Sequence, residues 1–229
     1  MTVWVVVAAA GTGSRFGATT PKQYQLLAGQ PIIVRTLEKM LALQPQSIVV
    51  AVNAADQQWS KLSMASHPLV RTVTGGNVRA DSVRAAVNFI ASEADADDWV
   101  LVHDVARPCV LVSDIKKLIN ALDHHPVGGI LATPISDTVK RVAVGQQEIC
   151  STEDRRQLWA AQTPQMFRYG LLAEALANAD GSVTDEASAI EQLGHRPLVV
   201  EGSRDNIKIT RGEDMAIAEA ILNFQSDPL

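Results

Sequence analysis

Apolar residues run without a break over residues 3–9. A half-exposed strand would alternate with polar residues, so this run predicts a strand buried on both faces, as in a parallel sheet. Gly11 and Gly13 end it, and Pro31 then opens a helical pattern through Ile32, Val34, Leu37 and Leu41. Further strand-like runs occupy residues 47–52, 70–73, 99–102 and 129–132. Between them, residues 54–66, residues 79–91 and a segment through Leu118 and Leu122 with Ser113 as N-cap read as helices. The order β-α-β-α-β-α-β-α-β predicts an α/β fold with a mostly parallel sheet and helices on both faces.

The alternation breaks at about residues 137–154, where two short strands, 138–142 and 148–151, flank a turn at Gly145. They predict a hairpin that projects from the main sheet. The pattern resumes with a strand at 158–161, helices at 171–177 and 185–193, and a strand at 198–201. A last helix is expected behind a Thr210–Glu213 capping box, with Met215, Ala218, Ile221 and Leu222 on its apolar face. No repeat, low-complexity tract or linker divides the 229 residues, so one domain is expected.

Composition narrows the function. A hydrophobic fraction of 47% is ample for a core, and a formal charge of -5 argues against general affinity for nucleic acid or anionic membrane. Phosphate binding would then need basic residues gathered locally. Cys109 and Cys150 match neither a metal spacing nor a disulfide framework, and suit a cytoplasmic protein. No apolar stretch approaches the ~20 residues that span a bilayer, and the N-terminus lacks a basic secretory leader.

Six segments can carry chemistry. In residues 8–24 a glycine-containing turn follows the first strand, with Arg15 and Lys22 on the loop. Such a loop brings backbone N–H groups close to phosphate, and two cations suit a triphosphate whose charge grows in the transition state. Gly11, Gly13 and Gly17 miss the dinucleotide fingerprint by one residue, and no Gly-Lys-Ser/Thr is present. An ordinary strand–helix turn fits the glycines equally well. Gly75-Gly76-Asn77 with Arg79 and Ser82 can cradle a base and phosphate, or simply turn and cap a helix.

His103-Asp104-Val105-Ala106-Arg107 lies at the carboxyl end of the fourth strand, where open α/β sheets bind ligands. Asp104 can hold magnesium or a ribose hydroxyl; Arg107 can hold phosphate or pair with Asp104. Thr138, Lys140 and Arg141 in the hairpin, with Arg155 beyond it, suit either a solvated edge or a site. Thr184-Asp185-Glu186 reads as a helix start with acidic residues at the positive end of the dipole. Lys208 is either a surface lysine or a cation delivered into the cleft. Singly these are weak, but together they set Arg15, Lys22, Arg79, Arg107, Arg155 and Lys208 beside loops or strand ends.

In this order the motifs resemble the 2-C-methyl-D-erythritol 4-phosphate cytidylyltransferase family, from Val3 to about Phe224. The matching pieces are Ala-Ala-Gly-x-Gly-x-Arg with Pro-Lys-Gln-Tyr, Arg-Ala-Asp-Ser-Val, His-Asp-x-Ala-Arg-Pro, Asp-Thr-Val-Lys, Gln-Thr-Pro-Gln, Thr-Asp-Glu-Ala-Ser-Ala and Asp-Asn-Ile-Lys. The resemblance implies a Rossmann-like nucleotidyltransferase fold with a projecting β-arm, paired as a homodimer through that arm. It implies transfer of CMP from CTP to a small sugar-alcohol phosphate, with magnesium as cofactor. Arg15 and Lys22 would stabilise the pentacoordinate α-phosphate. Ala9, Ala10, Gly11, Thr12, Gly13, Gly76, Asn77 and Ser82 would surround CTP, and Asp104 with Val105 would face ribose and acceptor. Thr138, Arg155, Lys208 and Arg107 would hold the acceptor, Arg155 reaching the partner's site. Asp104 is the one candidate protein ligand for the metal, which phosphate oxygens and water would otherwise hold.

The chain departs from the family pattern at Ala8, where proline is usual, and at Asn77, where an acidic residue is. The first changes loop stiffness, and the second leaves backbone contacts to CTP in place. A fused downstream cyclase is not expected. The rival readings are a ribitol 5-phosphate cytidylyltransferase and a non-catalytic nucleotide-binding protein. A dinucleotide oxidoreductase has the wrong glycine spacing.

Overall fold

The computed structural model describes residues 1–11, 16 and 20–226. Its centre is a seven-stranded sheet in the order β11-β7-β10-β6-β1-β4-β5. These strands are β1 (Val3–Ala8), β4 (Ser47–Val52), β5 (Val70–Thr74), β6 (Trp99–Asp104), β7 (Gly128–Pro134), β10 (Trp159–Arg168) and β11 (Leu198–Glu201). Only β10 runs antiparallel to its neighbours, β6 and β7. The expected α/β class with a mostly parallel sheet is what forms.

The two-residue period of a strand sends each apolar run to both faces at once. In β1, Val5 and Val7 join a core with Ile33, Leu37 and Met40 of α1 (Ile32–Leu41) and Ile115, Leu118 and Leu122 of α3 (Val112–Leu122). Trp4 and Val6 join the opposite core, with Val83, Ala86 and Val87 of α2 (Arg79–Phe89) and Leu172 and Leu176 of α4 (Tyr169–Asn178). Ala187, Ala189 and Ile190 of α5 (Glu186–Gln192) complete that second face. A third cluster seats Ala218 and Leu222 of α6 (Asp214–Ser226) against Leu27, Ile32, Cys109 and Ile209. Among the described residues no helix is long and apolar enough to cross a membrane.

The expected hairpin is present as β8 (Lys140–Val142) and β9 (Ile149–Thr152), a separate two-stranded sheet exposed along its whole length. Gly145, at φ 78°, takes the left-handed conformation its turn requires. A second small hairpin, β2 (Leu26–Leu27) with β3 (Gln30–Pro31), is too short to leave a periodic signal.

Four local expectations are corrected. Residues 54–66 form two 3-10 turns, Trp59–Lys61 and Ser63–Ser66, instead of a helix. Asp56 Oδ1 accepts from the N–H groups of Gln58 and Trp59 at 2.8 and 2.9 Å, closing a local turn that competes with a helical start. Ser113 lies inside α3, whose N-cap is Leu111. The last helix is led by Asp214, not Glu213: its Oδ2 accepts from the N–H groups of Thr210 and Arg211 at 2.7 and 2.8 Å. The strand expected at 158–161 starts at Trp159 and continues to Arg168, with a register shift between Ala161 and Gln165.

Candidate active site

β1 is flanked by β4 on one side and β6 on the other, so successive connections leave it in opposite directions. The carboxyl ends at such a switch point leave a crevice for a ligand. A cavity of about 330 Å³ opens there, lined by Ala10 and Gly11 after β1, Gly76, Asn77 and Ser82 before and in α2, and Asp104 and Val105 after β6. Lys22 and Lys208 also line it.

Close approach of the loops after β1 and β5 shapes the floor. A Cβ on Gly75 would stand 2.5 Å from the Ala10 Cβ and 2.8 Å from the Ser82 Oγ, so only glycine lets these segments touch. Ser82, buried in the first turn of α2, accepts the Gly76 N–H at 3.2 Å.

The Pro-Lys-Gln-Tyr segment divides its work by residue. Buried Gln23 donates Nε2 to the Ala9 carbonyl at 3.0 Å, and the Tyr24 hydroxyl donates to Asp56 Oδ2 at 2.6 Å. These anchors fix a 3-10 turn, Lys22–Tyr24, that sends Lys22 across to the loop before α6. There Lys22 Nζ donates to the Ile209 carbonyl at 2.5 Å, and the Ile209 N–H donates back to Ala106 at 2.9 Å.

Asp104 is the electrostatic centre, only 6% exposed. Arg79 Nε meets its Oδ1 at 2.6 Å, and Lys208 Nζ meets its Oδ2 at 2.6 Å. Burial alone would raise the pKa of this carboxyl. The charges of Arg79 and Lys208 override that and hold it well below the usual carboxylate range. Burial likewise works against the Arg79 guanidinium, but Glu186 and Asp104 hold it firmly protonated, above its ordinary value.

Behind Asp104 runs a buried relay. The Asp104 N–H donates to Thr163 Oγ1 at 3.0 Å, and Thr163 and His103 Nδ1 are 3.2 Å apart. His103 Nε2 is 3.1 Å from the Arg107 carbonyl, which can only accept, so Nε2 carries the proton and Nδ1 accepts from Thr163. Burial pushes His103 down to about 4, keeping it neutral. It is a satisfied core histidine.

Of the residues singled out from sequence, Lys22, Lys208, Asp104, Val105, Ala10, Gly11, Gly76, Asn77 and Ser82 meet in the cavity. Ala9 is buried beneath it, its N–H bonded to Ala51 and its carbonyl to Gln23, so Ala9 has no free surface for CTP. Arg107 turns away from it: Nη1 donates to the Asn206 carbonyl at 2.6 Å and Nη2 to Ala161 at 3.5 Å. It braces the 203–209 loop and neither pairs with Asp104 nor faces the cavity. Thr138 and Arg155 belong to the exposed arm region, away from this chain's own cavity, and Arg155 donates to the Ser136 carbonyl. Arg15, Thr12 and Gly13 lie outside the described residues. Thr163, Asn206 and Glu186 were not anticipated as parts of the site; their signal is side-chain pairing across more than forty residues of sequence, which periodicity does not register.

A metal caged by protein does not fit the described residues. No three His, Cys, Asp or Glu side chains group together, and both oxygens of Asp104 are engaged by cations. A divalent cation carried on phosphate oxygens, with at most Asp104 from the protein, fits the donor set.

Comparison with known proteins meets this geometry from outside. The family model described as IspD, 2-C-methyl-D-erythritol 4-phosphate cytidylyltransferase, matches residues 3–224. The protein of that name from Vibrio parahaemolyticus is 49% identical over 223 residues, 95% of this chain and 94% of the relative. Its counterpart from Vibrio atlanticus is 50% identical over 225 residues, covering 96% and 95%. The crystal structure of the Francisella tularensis enzyme superposes with a TM-score of 0.83 at 38% identity, covering 96% of this chain and 100% of that one. A fold and a sequence that agree over nearly the whole length place this chain in the 2-C-methyl-D-erythritol 4-phosphate cytidylyltransferase family.

Proposed function

We propose that the cavity at the carboxyl ends of β1 and β6 is where this chain transfers CMP from CTP to 2-C-methyl-D-erythritol 4-phosphate, releasing pyrophosphate. An oxygen of the acceptor phosphate attacks the α-phosphorus in line, and pyrophosphate leaves. A phosphate monoester is largely dianionic near neutral pH, so the attack needs no strong general base and no covalent enzyme intermediate. Catalysis then rests on positioning and charge stabilisation.

Lys22, with Arg15 of the glycine loop, offsets the charge that builds on the α-phosphate. Ala10, Gly11, Gly76, Asn77 and Ser82 surround base and ribose, Asp104 and Val105 face ribose and acceptor, and Lys208 meets the acceptor phosphate. Thr138 and Arg155 serve the site of a second copy, the two chains pairing through the arm. In support, both arm strands lie exposed and carry apolar Val142 and Ile149. Mg²⁺ would be held by phosphate oxygens and water, with Asp104 as the one protein candidate, and supplies charge neutralisation there. Two unlinked thiols support a cytoplasmic enzyme.

The observation that carries this reading is that Lys22 and Lys208 meet on one loop, the first bonded to the carbonyl of Ile209 and the second aligned by Asp104. Pyrophosphate release from CTP, with the erythritol phosphate or ribitol 5-phosphate as acceptor, tests it. Turnover is expected with the first acceptor, lost on chelation and restored by Mg²⁺. Preference for ribitol 5-phosphate, or CTP binding without release, would refute the reading.

A further inference from the structure

Glu186 does not line the main cavity, yet it governs the charges that do. It opens α5, is 1% exposed, and accepts from Arg79 at both oxygens, Nη1 to Oε1 at 2.6 Å and Nη2 to Oε2 at 2.9 Å. The start of α5 is fixed independently. Buried Gln165 of β10 accepts the Ala187 N–H at 2.9 Å and donates to Asp185 Oδ2 at 2.7 Å. Glu186 therefore holds its place and Arg79 must come to it. With both Nη groups turned to Glu186, Arg79 offers Asp104 only its Nε, on Oδ1. A guanidinium left to itself tends to grip a carboxylate through two parallel N–H groups. Restricted to one, it leaves Oδ2 of Asp104 to Lys208.

We infer that Glu186 is a positioning residue: by holding Arg79 sideways it reserves one oxygen of Asp104 for Lys208 and keeps that lysine aimed at the acceptor phosphate. This rests on the roles given above to Asp104 and Lys208. The lysine ammonium has three N–H groups, so one spent on Asp104 leaves two for phosphate. Without Glu186, Arg79 can take both Asp104 oxygens and release Lys208. A released lysine must be ordered afresh at each acceptor encounter, which corresponds to a rise of roughly three- to tenfold in acceptor KM.

The test is Glu186→Gln, which keeps shape and removes the charge, assayed well below its Tm with each substrate varied in turn. The expected result is that rise in acceptor KM with the CTP KM changed by roughly twofold or less, a split that loss of packing alone does not produce. Because Glu186 acts through Arg79, the double variant Arg79→Met/Glu186→Gln should have no higher acceptor KM than Arg79→Met. Wild-type constants in Glu186→Gln, or effects that multiply in the double variant, overturn the inference. Asp104→Asn separates the two levels. An unchanged acceptor KM in Asp104→Asn removes the underlying reading. A raised one, beside an inert Glu186→Gln, removes only the role of Glu186. If Glu186→Gln does not fold, Glu186→Asp carries the test: a smaller rise of the same kind supports the inference, and unchanged constants overturn it.

Discussion

Lys208→Ala separates binding from stability. The lysine side chain is 39% exposed and its visible protein partner is Asp104 at 2.6 Å. Solvent screens a pair this open, so its loss should cost the fold about 1 kcal/mol or less. For a chain of this size that is a fall in Tm of about 2–4 °C at most. Arg79 still covers Asp104, so the carboxylate is not stranded. The functional cost is larger, because Lys208 is assigned a charge-assisted contact to the acceptor phosphate, worth about 1.5–3 kcal/mol. That magnitude predicts a rise in acceptor KM of roughly ten- to a hundredfold with CTP affinity kept. Pyrophosphate release with each substrate varied, beside a thermal melt, reads all three quantities. Equal losses for CTP and acceptor, or a melt lowered far beyond this range with acceptor KM unchanged, would refute the assignment.

Lys22→Ala should fold, since Gln23 and Tyr24 anchor its turn, but lose roughly 10²–10³ in kcat; near-wild-type turnover removes its catalytic role. Gly75→Ala should weaken CTP binding in calorimetry, because its Cβ must displace Ala10 and Ser82. Adding Ala10→Gly should recover part of the loss, and no loss in the single variant would deny the close approach. Stability should fall on acidification: His103 takes up its proton at about 4 folded, against the ordinary imidazole value of 6.5, so between these values the unfolded chain binds the extra proton. The stabilisation is complete above pH 6.5 and falls by about 3 kcal/mol on reaching pH 4. Urea unfolding against pH measures this, and His103→Gln should flatten the slope; an unchanged slope excludes His103 as its source.

Much of this was legible because the strands are buried on both faces and the motifs sit at their ends. Continuous apolar runs predict β1, β4 and β6, and the strand-end position of Asp104 marks the site without reference to any contact. What escaped was direction. Asp104 and Arg107 are three residues apart beside one strand end, yet the first faces the cavity and the second turns to Asn206 and Ala161. Ser113 looks like a cap, but the helix already begins at Val112; the next acidic residue, Asp114, instead accepts the Ser203 N–H at 2.8 Å and ties down the loop that carries Lys208. Glu186 reads as a helix start, and it is one, but its 107-residue link to Arg79 exists only in the folded chain.

The acidic balance of the chain gains a meaning from these pairings. A site for phosphates needs cations, and cations crowded in a half-buried crevice repel one another. Here Asp104 lies between Arg79 and Lys208 and Glu186 pairs with Arg79 on its other side, so two carboxylates oppose two of the cations before any substrate enters. The carboxylates set where each cation points, while the ammonium of Lys208 keeps N–H groups for an incoming phosphate. A site built this way should tolerate loss of a cation better than loss of Asp104. Removing Asp104 leaves Arg79 and Lys208 facing each other without the anion between them, whereas removing Lys208 leaves Asp104 still covered. Asp104→Asn should therefore impair both substrates where Lys208→Ala impairs one.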